Sequence, residues 1–222
     1  MIGSCIKAAI DRGELGELYH ARAMHLRRAG IPRIGSWFTQ KKLSGGGALL
    51  DIGVHFLDVS LYLLGNFEPV SVTGITHARF GPRGLGDGNW GKSEIDPSKP
   101  FDVDDYAAAF IKLKGGASLI LEVAWATHGD GWSEDSIKVY GTDGGAVYPN
   151  VQLFKRDSSG PKTIAFDEKY PLPLTEDKMV HFVDCVLGGK KPLVRPEQSL
   201  AVQKILNAIY ESAKSGREIK IK

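Results

Sequence analysis

Four side chains able to hydrogen-bond, Asp51, His55, Asp58 and Tyr62, recur at helical spacing within GGGALLDIGVHFLDVSLYLLG, residues 45–65. In an α-helix turning about 100° per residue they share a stripe about 60° wide, and Asp51 and His55, at i,i+4, can meet. A carboxylate that orients an imidazole makes a general acid/base for a hydroxyl or a carbonyl near neutral pH. From spacing alone two other readings stay open: a solvent-facing edge, and a buried pair that satisfies itself. Against the solvent edge, residues 46–64 contain no Lys, Arg or Glu, the usual occupants of a wet stripe. Polar groups on so apolar a helix must pair, bond a neighbouring loop or line a cleft.

Other segments carry weaker chemical signals. Gly45–Gly47 would let a ligand or a second domain approach free N–H groups at the helix start, or would serve as a flexible lead-in. His55-Phe56-Leu57-Asp58 and His181-Phe182-Val183-Asp184 repeat an H-F-x-D unit, and His with Asp at i,i+3 can share an ion. A metalloenzyme is therefore an alternative, although no metal is expected. The basic stretch from Arg27 to Lys42, with Arg27, Arg28, Arg33, Lys41 and Lys42, is able to attract an anionic cofactor or substrate or to stand simply solvated, and it contains Trp37-Phe38. Aromatics beside a cleft stack on sugar rings or on a nicotinamide, which makes Trp37 a candidate substrate-binding residue. GDGNWG, residues 86–91, matches G-x-G-x-x-G, yet no apolar strand runs into it and no helix follows before Pro97. It is rejected as a dinucleotide fingerprint, and Gly91-Lys92-Ser93 is rejected as a phosphate loop.

These groups need a scaffold. Helices are predicted at 2–12, 46–64, 176–187 and 197–214. Strands are predicted at 17–28, 69–79, 102–113, 117–127, 134–141, 145–148, 151–155, 162–166 and 217–222. Residues 29–45 and 81–100 are loops, 167–174 is a Pro-rich connector, and Lys114-Gly115-Gly116 is a hairpin signal. The order implies an α+β fold: one open, largely antiparallel mixed β-sheet with helices packed on one face. Strands 102–113 and 117–127 are apolar on both faces, so a second copy of the chain is expected to cover the face the helices leave.

Composition narrows the partners. The chain has 222 residues, 42% hydrophobic and 24% charged, with a net charge of +2. That balance gives no reason to expect nucleic acid or an anionic membrane. The longest apolar run, about five residues, is far short of a bilayer span. Two cysteines, Cys5 and Cys185, exclude a disulfide framework. The opening MIGSCIKAAIDRG has no features of a signal peptide.

Trp37, Gly45–Gly47, Leu49, Asp51, Gly53, His55 and Asp58 together give the sequence a family likeness. It resembles the C-terminal domain of the Gfo/Idh/MocA oxidoreductases. The likeness extends through Gly13-Glu-Leu-Gly-Glu, Asp102-Val-Asp-Asp, Glu122-Val-Ala-Trp125, Val139-Tyr-Gly-Thr-Asp-Gly-Gly-Ala and the end from Pro196 to Lys220. The resemblance implies a sheet domain like the C-terminal domain of glyceraldehyde-3-phosphate dehydrogenase, partnered in the family by a Rossmann domain that binds NAD or NADP. It implies that His55 is the general acid/base, with Asp51 beside it, and that the substrate is a sugar, polyol or related compound. Residues 1–12 then correspond to the end of the last helix of a missing nucleotide-binding domain, and 13–222 to the substrate-binding and oligomerisation domain. The family's E-K-P lysine would lie upstream of Met1, so this chain alone is expected to be inactive and to hold no nucleotide. Phe38 stands where the family often has Arg. The expected compartment is the cytoplasm, with the periplasm left open because a signal peptide would precede Met1. A non-catalytic sugar-binding or oligomerisation module is the competing reading.

Overall fold

The computed structural model describes residues 2–90, 96, 98–165 and 177–222. In chain order its elements are α1 (Ile2–Asp11), β1 (Leu18–Arg27), α2 (Lys41–Ser44), a π turn (Leu49–Gly53) continuing into α3 (Val54–Leu64), and β2 (Pro69–His77). Then follow β3 (Tyr106–Leu113), β4 (Ser118–Ala124), β5 (Ser133–Gly141), β6 (Gly145–Tyr148), β7 (Gln152–Asp157), β8 (Gly160–Ala165), α4 (Lys178–Gly188), α5 (Pro196–Ser215) and β9 (Ile219–Lys220). The strands form one sheet in the order β8-β7-β6-β5-β1-β4-β3-β2-β9. The β1–β4 pair is parallel and the other neighbours are antiparallel. This is the mixed, largely antiparallel α+β sheet that the patterning implies.

Helices α1, α3 and α5 pack on one face. Ile6, Leu57, Leu61, Ile205 and Ile209 meet Ala21, Ala23, Ala109, Ile111, Leu119 and Leu121 in the main core. Alanines on the buried face of β1 and β3 let the helices approach closely. On the other face, Ile75, Phe110 and Ile120 remain 48%, 40% and 36% exposed. A second, smaller core of Ile31, Ala48, Ile52, Val103, Trp125 and Ala126 lies under the loops beyond β1 and β4. The segment 41–64 is long and apolar enough by composition to cross a membrane, although its apolar runs are short. Half of its most apolar window is buried inside the protein, which accounts for it as a core helix.

The predicted strand 102–113 begins only at Tyr106, because its first residues have other work. Asp102 accepts from the backbone N–H of Lys41 at 2.6 Å, at the start of α2. Asp105, fully buried, accepts from the N–H groups of Arg79, Phe80 and Gly81. Asp104 accepts from Gly47 and Leu49 N–H at 2.9 and 2.8 Å and from the Tyr210 hydroxyl of α5 at 2.6 Å. A helix start leaves donors without intrahelical partners, and here a carboxylate from a distant segment takes them. The approach is close: a Cβ at Gly47 would fall 1.8 Å from the Asp104 carbonyl oxygen. The glycine run therefore receives protein backbone, and the N–H groups of Gly47 and Leu49 are engaged by Asp104, not open to a ligand. At the far end, β9 spans two residues because only Ser71 and Val72 of β2 pair with it. The predicted connector 167–174 lies outside the described residues.

Because Asp104 is 6% exposed and answers three donors, it is an expensive group to alter. Asp104→Asn should lower unfolding free energy by about 2–4 kcal/mol, and Tyr210→Phe by about 1–2 kcal/mol. Urea denaturation reads both, and a neutral effect of Asp104→Asn would contradict this account.

Candidate active site

The π turn adds one residue to the first turn of the site helix, an irregularity that tends to occur at functional sites. Asp51 sits within it, half-buried, and its Oδ2 accepts from the Trp125 indole N–H at 2.8 Å. Trp125 is fully buried at the end of β4. The partner of Asp51 is thus an indole from the sheet. Among the described residues no hydrogen bond joins it to His55, and its Oδ1 carries none.

Asp51 and His55 nevertheless line the same cavity of roughly 520 Å³. Its other walls are Arg27, Ala29, Gly30, Ile52, Gly88, Trp90 and Trp132. His55 is exposed toward it, whereas Asp51 is fixed from behind. The volume suits a small molecule. A carboxylate with one oxygen free, an accessible imidazole and two indoles are groups that hold a polyhydroxylated ring: the hydroxyls meet Asp51 and His55, and the C–H faces meet tryptophan.

The rest of the predicted stripe turns elsewhere. The Lys7 ammonium of α1 lies 5.7 Å above the Tyr62 ring. Asp58 is half-buried, and burial raises its carboxyl above the usual range, partly offset by the His55 charge. Trp37, 45% exposed, is not among the cavity walls. It stacks on Phe38 at 3.9 Å, and Phe38 meets the edge of Trp90 at 6.0 Å, which puts Trp37 two rings from the cavity. The second H-F-x-D unit lies on α4, where His181 Nε2 accepts from Leu193 N–H at 3.1 Å. Among the described residues no three of His, Cys, Asp and Glu gather as metal ligands would.

Sequence reasoning did not single out Trp90, Trp125 or Trp132 as site residues, and it took Arg27 only as one charge of a basic stretch able to attract an anion. Trp125 carried a usable signal: an indole donor ending an apolar strand needs a buried acceptor. It also did not single out His25, which is 6% exposed behind the cavity. His25 packs on Phe56 at 4.9 Å, and its Nδ1 lies against Asp135 Oδ1 as a charge contact without good hydrogen-bond angles. Burial holds the His25 imidazole below its ordinary value. Arg27 adds to that, and Asp135 and Asp51 oppose it.

The chain matches the GFO/IDH/MocA C-terminal domain over residues 5–147. It is 30% identical over 222 residues to D-glucoside 3-dehydrogenase of Escherichia coli strain K12, covering 97% of this chain and 60% of that protein. It is 31% identical over 150 residues to levoglucosan dehydrogenase of Pseudarthrobacter phenanthrenivorans, covering 64% of this chain and 37% of that one. The solved structure of a levoglucosan dehydrogenase in complex with NADH and levoglucosan shares the fold, with a TM-score of 0.75 at 23% identity over 98% of this chain and 62% of that chain. The chain spans between 32% and 60% of the length of the curated relatives it matches.

A histidine whose folded value is lowered binds fewer protons folded than unfolded. Stability then rises with pH up to about 6.5 and is lost as pH falls below it. His20, lowered chiefly by burial, acts with the same sign. Denaturation at about pH 7.5 and pH 5.5 should show wild type losing stability on acidification and His25→Gln losing less. Equal losses would remove His25 from the account.

Proposed function

The chain belongs to the GFO/IDH/MocA family, and on that footing we propose that it forms the sugar-side half of an NAD(P)-dependent oxidoreductase, with His55 as general acid/base and Asp51 beside it. The observation that carries this reading is the shared cavity, in which Asp51 is pinned by Trp125 and His55 stays accessible. His55 takes the proton of the reacting hydroxyl in oxidation and returns it in reduction. Asp51, held from behind, accepts from a sugar hydroxyl and fixes the ring against His55. Trp90 and Trp132 suit the apolar face of a sugar or polyol, and the relatives' names, glucoside and levoglucosan dehydrogenases, point the same way.

The described residues fit the sugar and not the nucleotide, since no strand among them feeds a glycine-rich turn that opens a helix. In this reading residues 1–12 close a nucleotide-binding domain and 13–222 hold the substrate, so the chain alone binds no NAD or NADP. The nicotinamide, when bound by that other domain, supplies the hydride acceptor. The oligomer is proposed to form through the open sheet face, where Phe110 of β3 lies opposite Ile120 of β4 and Ile75 of β2 is two residues off in register, opposite Ala108. A two-fold axis sets the same patch of both copies against each other, so one such face is enough to make the interface.

In the enzyme that joins this chain to a nucleotide-binding domain, His55→Ala should lower turnover by about 100- to 10,000-fold. Because His55 is exposed, stability should change by no more than about 0.5 kcal/mol. Near-normal turnover, or a variant that fails to fold, would sink the assignment. Phe110→Asp should turn the oligomer into a monomer by light scattering with its circular dichroism intact, and an unchanged mass would locate the interface elsewhere.

A further inference from the structure

Arg27 is the last residue of β1, and its backbone is fixed on both sides. It pairs with Ser133 of β5, and its carbonyl accepts from the Thr127 hydroxyl at 3.0 Å. Its aliphatic stem lies over Gly30, where a Cβ would come within 2.5 Å of Arg27 Cδ. Gly88 meets Gly30 so closely that its own Cβ would fall 3.0 Å from Gly30 Cα and 2.6 Å from Trp90 Cδ1. Trp90 donates its indole N–H to the Gly30 carbonyl at 3.2 Å. Two touching glycines thus make a backbone floor, with an arginine and an indole laid across it, and both side chains line the cavity that holds Asp51 and His55.

The charges in this cavity do not close among themselves. Arg27 is half-buried, and none of the ion pairs among the described residues includes it. Asp51 shares the cavity, but its contact is the neutral Trp125 indole. The Arg27 charge helps hold the His25 imidazole below its ordinary value. A guanidinium is a planar fork of donors that matches a carboxylate or phosphate in two parallel bonds, about twice as strong as bonds to neutral acceptors. Held in place by its stem and without an acceptor among the described residues, it is preorganised for one brought by a ligand.

We infer that Arg27 is a specificity-determining residue that selects sugars bearing an oxyanion, a carboxylate or a phosphate, over neutral sugars. The inference rests on the sugar-site reading above and adds to it the class of sugar. The oxyanion lies across the Arg27 fork, while the ring's hydroxyls meet Asp51 and His55 and its apolar face meets Trp90.

The test is binding to the full 222-residue chain, read by quenching of tryptophan fluorescence and by calorimetry. The probes are methyl glucoside, its uronate and glucose 6-phosphate. Wild type should bind at least one charged sugar about tenfold more tightly than the neutral one. Added salt should erode that preference. A stronger uronate than phosphate identifies a sugar acid, and the reverse order identifies a sugar phosphate. Arg27→Gln should bring the ratio close to one, and Arg27→Lys should keep part of it. If Arg27→Gln fails to fold, the wild-type ratio and its salt dependence still decide. Neutral and charged sugars binding alike, or a preference that survives Arg27→Gln, would overturn the role of Arg27 and leave the sugar site standing. Failure of all three sugars to bind would overturn both.

Discussion

The buried carboxylate of Asp104 is the interaction on which the site depends. Helix starts carry unpaired N–H groups and a partial positive charge, and both are costly away from water. Asp104 answers them from 55 residues downstream and accepts the Tyr210 hydroxyl as well. One group thereby joins the α3 start, the segment before β3, and α5. Burial and the Asp104 charge push the Tyr210 phenol far above its ordinary range, so it stays a donor at every working pH. The origin of the site helix is fixed in this way, and the π turn then sets where Asp51 emerges.

A second constraint comes from direction. In an antiparallel sheet neighbouring strands end on opposite edges. Because β1 and β4 run parallel, their carboxyl ends reach the same edge. Arg27 ends β1, and Trp125 follows β4 by one residue. The cavity forms where these ends meet the π turn, with Arg27 as a wall and Trp125 behind Asp51. The remaining strands widen the sheet without contributing walls, apart from the loop after β2 that brings Gly88 and Trp90 and the loop before β5 that brings Trp132.

The sequence spoke clearly where periodicity was long. The strands and the helices on one face followed from apolar patterning; i,i+4 spacing put Asp51 and His55 on one side of the helix, but the contact it allowed between them is replaced by the Trp125 indole. It spoke poorly where polar side chains bond distant backbone. Asp102-Val103-Asp104-Asp105 looked like the start of a strand because Val103 and Tyr106 continue the alternation, yet aspartate is a poor strand former and these three serve as caps. The stripe from Asp51 to Tyr62 was drawn as a single face. Only its upper half reaches the cavity, because α1 packs against the lower half and brings Lys7 to Tyr62. Arg27 and Trp90 were illegible as a pair, since what joins them is contact between Gly30 and Gly88, far apart in sequence.

The parallel seam also sets the order in which the molecule is made. His20 of β1 bonds Ser118 of β4, 98 positions further along the chain. Closing so long a loop costs entropy before any contact repays it, and folding rates fall with such separations. During synthesis at about 5–20 residues per second, β1 waits about 5–20 s for the strand it must join. In that interval the exposed charge of Arg22 is what discourages an intruding strand. The cavity walls on either side of the seam meet only once that gap has closed, so the binding site cannot be complete until the chain has been made through β4 and Trp132.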